Sequence, residues 1–175
     1  RLHPQPACTM AALAALPDYD GVRRLLAEAR RGLGPLLSAF EVMWPDYWQV
    51  VTERVGVRTP LQGTHGHYVL VEAQGTDPAL DGPRFQHWLE RLMEQGLLSD
   101  AAVAQSVADV HAFWGVRDAC AQFGPVLGPH ISYDVGLAVR DMHAFATACK
   151  AALAQAIDGC ASIYYGHIAD GNLHL

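Results

Sequence analysis

Segments that read as helices and strands are intermixed along this chain, and several of the links between them are short. Two parallel strands need a crossover of a dozen or more residues, and those links cannot supply one. The pattern therefore favours an α+β fold, an antiparallel β-sheet covered by helices. The chain has 175 residues, one domain of ordinary size or slightly more. A chain of that length buries roughly 70% of the surface its unfolded form exposes, so the core needs no staples.

The individual segments carry this reading. "HYVLVEAQG" (67–75) is β-branched and aromatic and closes on Gly75, the clearest strand of the set. "LLSAFEVM" (36–43), "AAVAQSV" (101–107), "HISYDVGLAV" (130–139) and "CASIYYGHI" (160–168) read as further strands. "TMAALAALP" (9–17) fits a buried strand or a helix start, and periodicity does not separate the two. Between Asp20 and Leu33, apolar residues recur at helical spacing, with Asp18 or Asp20 to cap the start and Gly34 to stop it. Further helices are expected over "WPDYWQVVTERVG", with Pro45 in the first turn, and over Pro83–Gln95, where Phe85, Trp88, Leu89, Leu92 and Met93 form one stripe. Two more follow: Asp109–Phe123, ended by Gly124-Pro125, and a long helix after Asp141.

Composition narrows the function classes. The net charge is −6, and eleven of the twelve basic residues are Arg, with Lys150 the one Lys. This argues against a nucleic-acid surface and a polybasic membrane patch. No apolar run approaches the ~20 residues of a spanning helix. Cys8, Cys120, Cys149 and Cys160 share no C-x-x-C spacing, which points to free thiols in a reducing compartment rather than a disulfide or zinc framework.

Chemistry concentrates in "YYGHIADGNLHL" (164–175). With Asp170-Gly171 as the centre of a β-hairpin, Ala169 faces Asn172, Ile168 faces Leu173, and His167 faces His174. Tyr165, His167, Ala169, Asn172 and His174 then share a polar face, while Gly166, Ile168, Leu173 and Leu175 share an apolar one. Directly opposed residues have Cβ atoms roughly 4.5–5.5 Å apart, so the two imidazoles can converge on one divalent ion. They can equally stack on each other or bond carbonyls on a sheet surface, and two ligands alone fall short of the three of a usual catalytic centre. His65 and His67 in "THGHY" are a second same-face pair, read as a loop edge. In "FWGVRDA" (113–119), Arg117 sits with the aromatic stripe of its helix, placed either to grip a carboxylate or to lay its stem on the apolar face and reach solvent.

"GHIADGNLHL" resembles the G-H-x-G-D-G-N-x-H signature of the FAD-linked oxidases that act on 2-hydroxy acids, among them glycolate oxidase D subunits, D-lactate dehydrogenases and D-2-hydroxyglutarate dehydrogenases. Other stretches agree in order. "RLHPQP" is similar to the segment leaving the flavin domain, "LLSAFEVM" to the "sAfElm" strand and "HYVLVEAQG" to "yyvLvEl-G". "FWGVRDA" is similar to the "lW-lRe" helix and "YDVGLAV" to "DVsvP". The sequence departs from the pattern at Ala169, where the motif has Gly, at Ser132, where metal-using members often have Lys, and at Ala138, where Pro is usual.

The resemblance implies a ferredoxin-like, substrate-binding cap domain spanning residues 1–175. The FAD-binding domain of the same polypeptide is expected upstream, with a further C-terminal segment downstream. It assigns Arg117 to the substrate carboxylate, His167 and His174 to a metal (zinc or another divalent ion) and Asn172 to the cofactor side, with the catalytic base expected beyond Leu175. No Gly-rich phosphate fingerprint occurs within the chain, so FAD is expected on the absent domain and this segment alone is expected to be inactive. The implied activity is oxidation of a small D-2-hydroxy acid by hydride transfer to flavin. The rival readings are a non-catalytic metal- or ligand-binding module and a metal-dependent hydrolase. The implied setting is the bacterial cytoplasm, with a membrane-peripheral place in an electron-transfer complex as the alternative and a homodimer as a compatible assembly.

Overall fold

The computed structural model describes residues 5–175; most of "RLHPQP" therefore lies outside the described residues. Seven strands form one sheet in the order β4-β1-β3-β2-β6-β7-β5, and every pair is antiparallel. They are β1 (Cys8–Leu16), β2 (Leu37–Met43), β3 (His67–Gly75), β4 (Asp100–Val103), β5 (Asp134–Gly136), β6 (Tyr165–Gly166) and β7 (Asn172–His174). The α+β architecture expected from the short links is the one observed. "TMAALAALP" resolves as strand, because β1 is an interior strand that pairs along its full length with β3 and is flanked on its other side by β4.

The strand alternation splits the core in two. On one face, Ala12, Ala14 and Leu16 of β1, Phe40 and Val42 of β2 and Val69, Val71 and Ala73 of β3 pack under α1 (Tyr19–Gly32), α3 (Pro78–Glu94) and α6 (Met142–Ala156). On the other, Leu13, Met43, Tyr68 and Leu70 pack under α2 (Pro45–Gln49), α4 (Val107–Arg117) and α5 (Phe123–Leu127). The candidate site lies on this second face.

Several boundaries differ from expectation, each for a local reason. Helix α3 begins at Pro78 rather than Pro83, because Asp77 accepts from the Ala79 amide and Asp81 accepts from the amides of Thr76 and Asp77. Pro83 is thus inside the helix. The helix expected over Asp109–Phe123 ends at Arg117 and tightens to a 3₁₀ turn, and Gly124-Pro125 opens α5 instead of closing a helix. Helix α2 relaxes into a π-helical turn over Val50–Val55, closed by Gly56 in the left-handed region. The strands expected over 101–107, 130–139 and 160–168 are shorter: β4 begins one residue early and stops at Val103, and β5 and β6 are three and two residues long.

Candidate substrate site at the narrow end of the sheet

Helix α4 is fixed at both ends. Ser106 accepts from the Asp109 amide at its start. At its end the hydroxyl of Tyr47, a fully buried side chain, donates to the carbonyls of Val116 and Arg117. Arg117 is the last residue of the helix, where a cation complements the helix dipole. Its side chain is only 12% exposed, so the snorkelling alternative does not hold. Arg117 lies inward, its guanidinium carbon 5.5 Å from the centre of the Tyr165 ring.

The partner that holds it is Glu41, which the sequence reading did not single out. Glu41 lies in β2 between Phe40 and Val42, on the face opposite theirs, and is 4% exposed. Arg117 Nε donates to Glu41 Oε2 at 2.9 Å, and Arg117 Nη1 donates to Asp118 at 3.3 Å. Burial opposes the guanidinium charge, but the attraction and hydrogen bond of Glu41 outweigh it and raise the Arg117 pKa. A lone carboxylate within an apolar strand run is the one signal that could have flagged this residue.

Glu41 also faces the hairpin. Val42 pairs with Gly166 and Met43 with Tyr165, and one step further along that ladder sets Glu41 beside His167. The bond between His167 Nδ1 and Glu41 Oε1 is 2.6 Å, and Arg117 Nη2 lies 3.2 Å from His167 Nε2. An arginine can only donate, so Nε2 is the acceptor and the proton resides on Nδ1, donated to Glu41. The geometry thus selects the neutral Nδ1–H tautomer.

The hairpin forms, with a corrected register. His174 pairs with Tyr165, not with His167. Ile168–Asp170 form a 3₁₀ turn, Gly171 takes the left-handed conformation at φ +85°, and the Asn172 amide closes the loop on the His167 carbonyl. The Asp-Gly pair therefore ends a four-residue loop, 168–171, rather than occupying the centre of a tight one. The cause is Ile168, which is fully buried under the opposite face and draws the loop start into the core. Ala169 follows it and packs there too, off the polar face. The slip is by two residues, which preserves side-chain alternation, so the His167 and His174 rings still meet. Their centres are 4.9 Å apart and their planes are at 84°. Gly166 makes the close approach feasible. Its φ is +156°, and a Cβ there would lie 2.6 Å from the Asn172 carbonyl oxygen.

Each imidazole is backed by a carboxylate. Asp134, opposite His174 in the β5–β7 ladder, bonds its Nδ1. That backing is what ligating histidines usually have, and it leaves Nε2 of each ring for other partners. Among the described residues, however, no three His, Cys, Asp or Glu side chains are grouped to hold a metal ion, and Nε2 of His167 is already met by Arg117. Asn172 is half-buried, and its Oδ1 has no hydrogen-bond partner among the described residues. The pair in "THGHY" does not converge. The His65 ring bonds the Gln62 carbonyl, while His67 is buried among Tyr19, Trp44 and His143 on the other side of the sheet.

What this corner presents is a cation beside an imidazole acceptor, walled by aromatics, on the antiparallel sheet of an α+β domain. Residues 5–175 match the family model described as FAD linked oxidases, C-terminal domain, and the chain belongs to that family. It is 33% identical over 165 residues to the mitochondrial D-2-hydroxyglutarate dehydrogenase of Arabidopsis thaliana, covering 94% of this chain and 29% of that protein. A putative mitochondrial D-lactate dehydrogenase of Schizosaccharomyces pombe is 29% identical over 180 residues, covering 98% of this chain and 34% of that protein. The D-2-hydroxyglutarate dehydrogenase of Xanthomonas citri pv. viticola is 31% identical over 179 residues, covering 100% of this chain and 36% of that protein. The chain spans about 30% of the length of the first plant relatives it matches. The expectation of a bacterial cytoplasmic setting is corrected by these comparisons, since the plant, yeast and cattle relatives are named mitochondrial. No helix among the described residues is long and apolar enough to cross a membrane.

Proposed function

We propose that the intact protein containing this chain oxidises a D-2-hydroxy acid, with this domain supplying the substrate-binding face and FAD carried mainly by another domain of the same polypeptide. The observation that carries the reading is the pairing of Arg117 Nη2 with His167 Nε2 at 3.2 Å. A 2-hydroxy acid displays an acceptor beside a donor, its carboxylate oxygen next to its hydroxyl. The donor-acceptor pair on the protein is the complement of that pattern. Arg117 takes the carboxylate and His167 Nε2 accepts from the hydroxyl, displacing the contact the two make with each other. Relatives named as D-2-hydroxyglutarate and D-lactate dehydrogenases support this substrate class, while support for glycolate rests on the terminal motif alone.

FAD, when bound, supplies the hydride acceptor. Asn172 is assigned to the flavin side of the site, its unpartnered buried Oδ1 suited to a donor from the cofactor or its domain. A divalent ion such as zinc would take Nε2 of His167 and of His174, both backed at Nδ1, and would need further ligands from outside this set. Bound there, it would polarise the substrate hydroxyl. In either case the chain's own residues hold the acid: Tyr165 and the buried Glu41 fix the guanidinium, and the hairpin fixes the rings.

The test is a visible spectrum of the full-length protein during anaerobic addition of D-lactate, D-2-hydroxyglutarate or D-glycerate, with the L-acids as controls. Bleaching of flavin absorbance by at least one D-acid and by no L-acid is the expected result. A protein without flavin, or a flavin that no D-2-hydroxy acid reduces, would overturn the reading.

A further inference from the structure

Two carboxylates are buried in the sheet face that carries the site, Glu41 and Glu72, and their partners differ in kind. Glu72 is satisfied by neutral donors: Trp114 Nε1 at 2.7 Å, Ser38 Oγ at 2.8 Å and Gln74 Nε2 at 3.0 Å. These tie α4 and β2 to β3, and none belongs to the substrate site. Glu41 is satisfied by the two groups assigned to the acid, Arg117 through Oε2 and His167 through Oε1. Burying a carboxylate in an apolar strand is costly unless both oxygens are compensated. Here the compensation comes from the end of α4 and from the β6–β7 hairpin, elements whose one direct side-chain hydrogen bond among the described residues is the Arg117–His167 contact itself.

We propose that Glu41 is a positioning residue of the substrate site. One oxygen holds His167 in the Nδ1–H tautomer, so that Nε2 presents a lone pair, and the other sets the rotation of Arg117, so that Nη2 lies beside it. The role in turnover rests on the functional reading above; the tautomer does not. Without the carboxylate, the imidazole is free to place its proton on Nε2, which turns the acceptor into a donor facing a cation and a substrate hydroxyl. The guanidinium also loses the anchor on its Nε edge. Glu41 therefore couples the recognition of the two adjacent oxygens of the acid, which independent anchors would not do.

The experiment uses the full-length flavoprotein with ¹⁵N-labelled histidine at pH 8, alongside Glu41→Gln, Glu41→Asp and Glu72→Gln. In the unaltered protein, the His167 resonances, assigned by their loss in His167→Gln, are expected to show a protonated Nδ1 and an unprotonated Nε2. An Nε2–H tautomer there would overturn the proposal without any variant. Glu41→Gln is expected to lower kcat/KM for the reducing D-acid by about 10- to 100-fold, the range for losing a group that orients a functional histidine, and to shift the His167 resonances toward Nε2–H. Glu41→Asp, which keeps the charge, is expected to restore the tautomer and part of the rate. Glu72→Gln is expected to lower thermal stability while leaving the His167 resonances and kcat/KM in place. If Glu41→Gln folds with the tautomer and kcat/KM unchanged, Glu41 is only a core residue. If no D-acid reduces the flavin, the functional reading fails, and the tautomer measurement still decides whether Glu41 orients His167.

Discussion

Two pairs of histidines occupy opposite faces of this sheet, and they are built to opposite ends. His167 and His174 sit at its narrow edge, each with Nδ1 on a carboxylate, Glu41 and Asp134, and with ring centres 4.9 Å apart. Under the other face His67 lies within an aromatic nest of Tyr19 and Trp44, 5.4 Å from the exposed ring of His143. His67 is 3% exposed, and neither of its ring nitrogens has a partner among the described residues. Similar ring spacing thus serves two purposes. A carboxylate behind an imidazole fixes its proton and leaves a directed lone pair, whereas an apolar wall around one makes it a large, neutral core side chain.

The largest expected effect breaks the first pair's setting. On the proposed function, Arg117→Ala in the intact protein should weaken binding of the acid by about 2–5 kcal/mol, the range for removing one partner of a buried, hydrogen-bonded charge pair. It also leaves Glu41 buried without its cation, so the melting temperature should fall as well. Unchanged KM and kcat with the reducing acid would show that Arg117 serves only to neutralise Glu41. His67→Ala, by contrast, should cost stability and leave the affinity of whatever folded enzyme remains close to that of the unaltered protein.

The next effect is a pH dependence carried by His67. Burial pushes the His67 pKa down from its ordinary 6.5 to about 4, with repulsion from His143 adding to the effect and attraction from Asp18 opposing it. The native state therefore keeps His67 neutral while the unfolded chain takes up a proton near pH 6.5. Stability from this residue is present above that pH and is lost as the pH falls toward about 4, a loss on the order of 3 kcal/mol at 1.36 kcal/mol per pKa unit. Urea unfolding at pH 8 and at pH 4.5 measures it. If His67→Phe shows the same difference between the two pH values, another group is responsible.

Smaller again is Gly166→Ala, aimed at the geometry that brings the first pair together. The left-handed backbone and the nearby Asn172 carbonyl should make it cost about 1–3 kcal/mol. The loss should appear as faster amide exchange in residues 165–174 and weaker acid binding, with the β1–β3 amides unaffected. Uniform exchange across the sheet would mean that the narrow edge is not a separate unit.

These contrasts also explain what could be read from residue order. Helix α1 and strand β3 were legible because each is specified locally: Asp18 caps α1 by accepting from the Gly21 amide, and β3 is a run of strand-forming residues closed by Gly75. The meeting of His167 and His174 was legible because alternation survives a two-residue slip, although the register itself was not, since burial of Ile168 is a tertiary event. Arg117 was legible only as far as its place on the aromatic stripe; helical spacing favoured a head in solvent, and it is Glu41, from another element, that turns the guanidinium inward. Glu41 itself was not legible, because its meaning depends on partners 76 and 126 positions away in the chain. His67 was misplaced for the same reason. A histidine at the start of a strand resembles a loop edge until Tyr19 and His143, from α1 and α6, and Trp44, from the link between β2 and α2, pack around it.

The smallest predicted effect separates the two contributions inside the second pair. His143 is exposed at the start of α6 and stacks on Tyr19 at 5.3 Å with planes 16° apart. His143→Ala should therefore cost about 0.5–1.5 kcal/mol at pH 8, where only the stacking is lost. At pH 4.5 the same substitution has an opposing consequence. Removing His143 removes a repulsion that depresses His67, so protonating His67 becomes less unfavourable to the native state. The variant should show a narrower gap between its pH 8 and pH 4.5 stabilities than the unaltered protein. Should the gap stay the same width, His67 is depressed by its apolar enclosure alone, and the two rings are neighbours in packing without being coupled in charge.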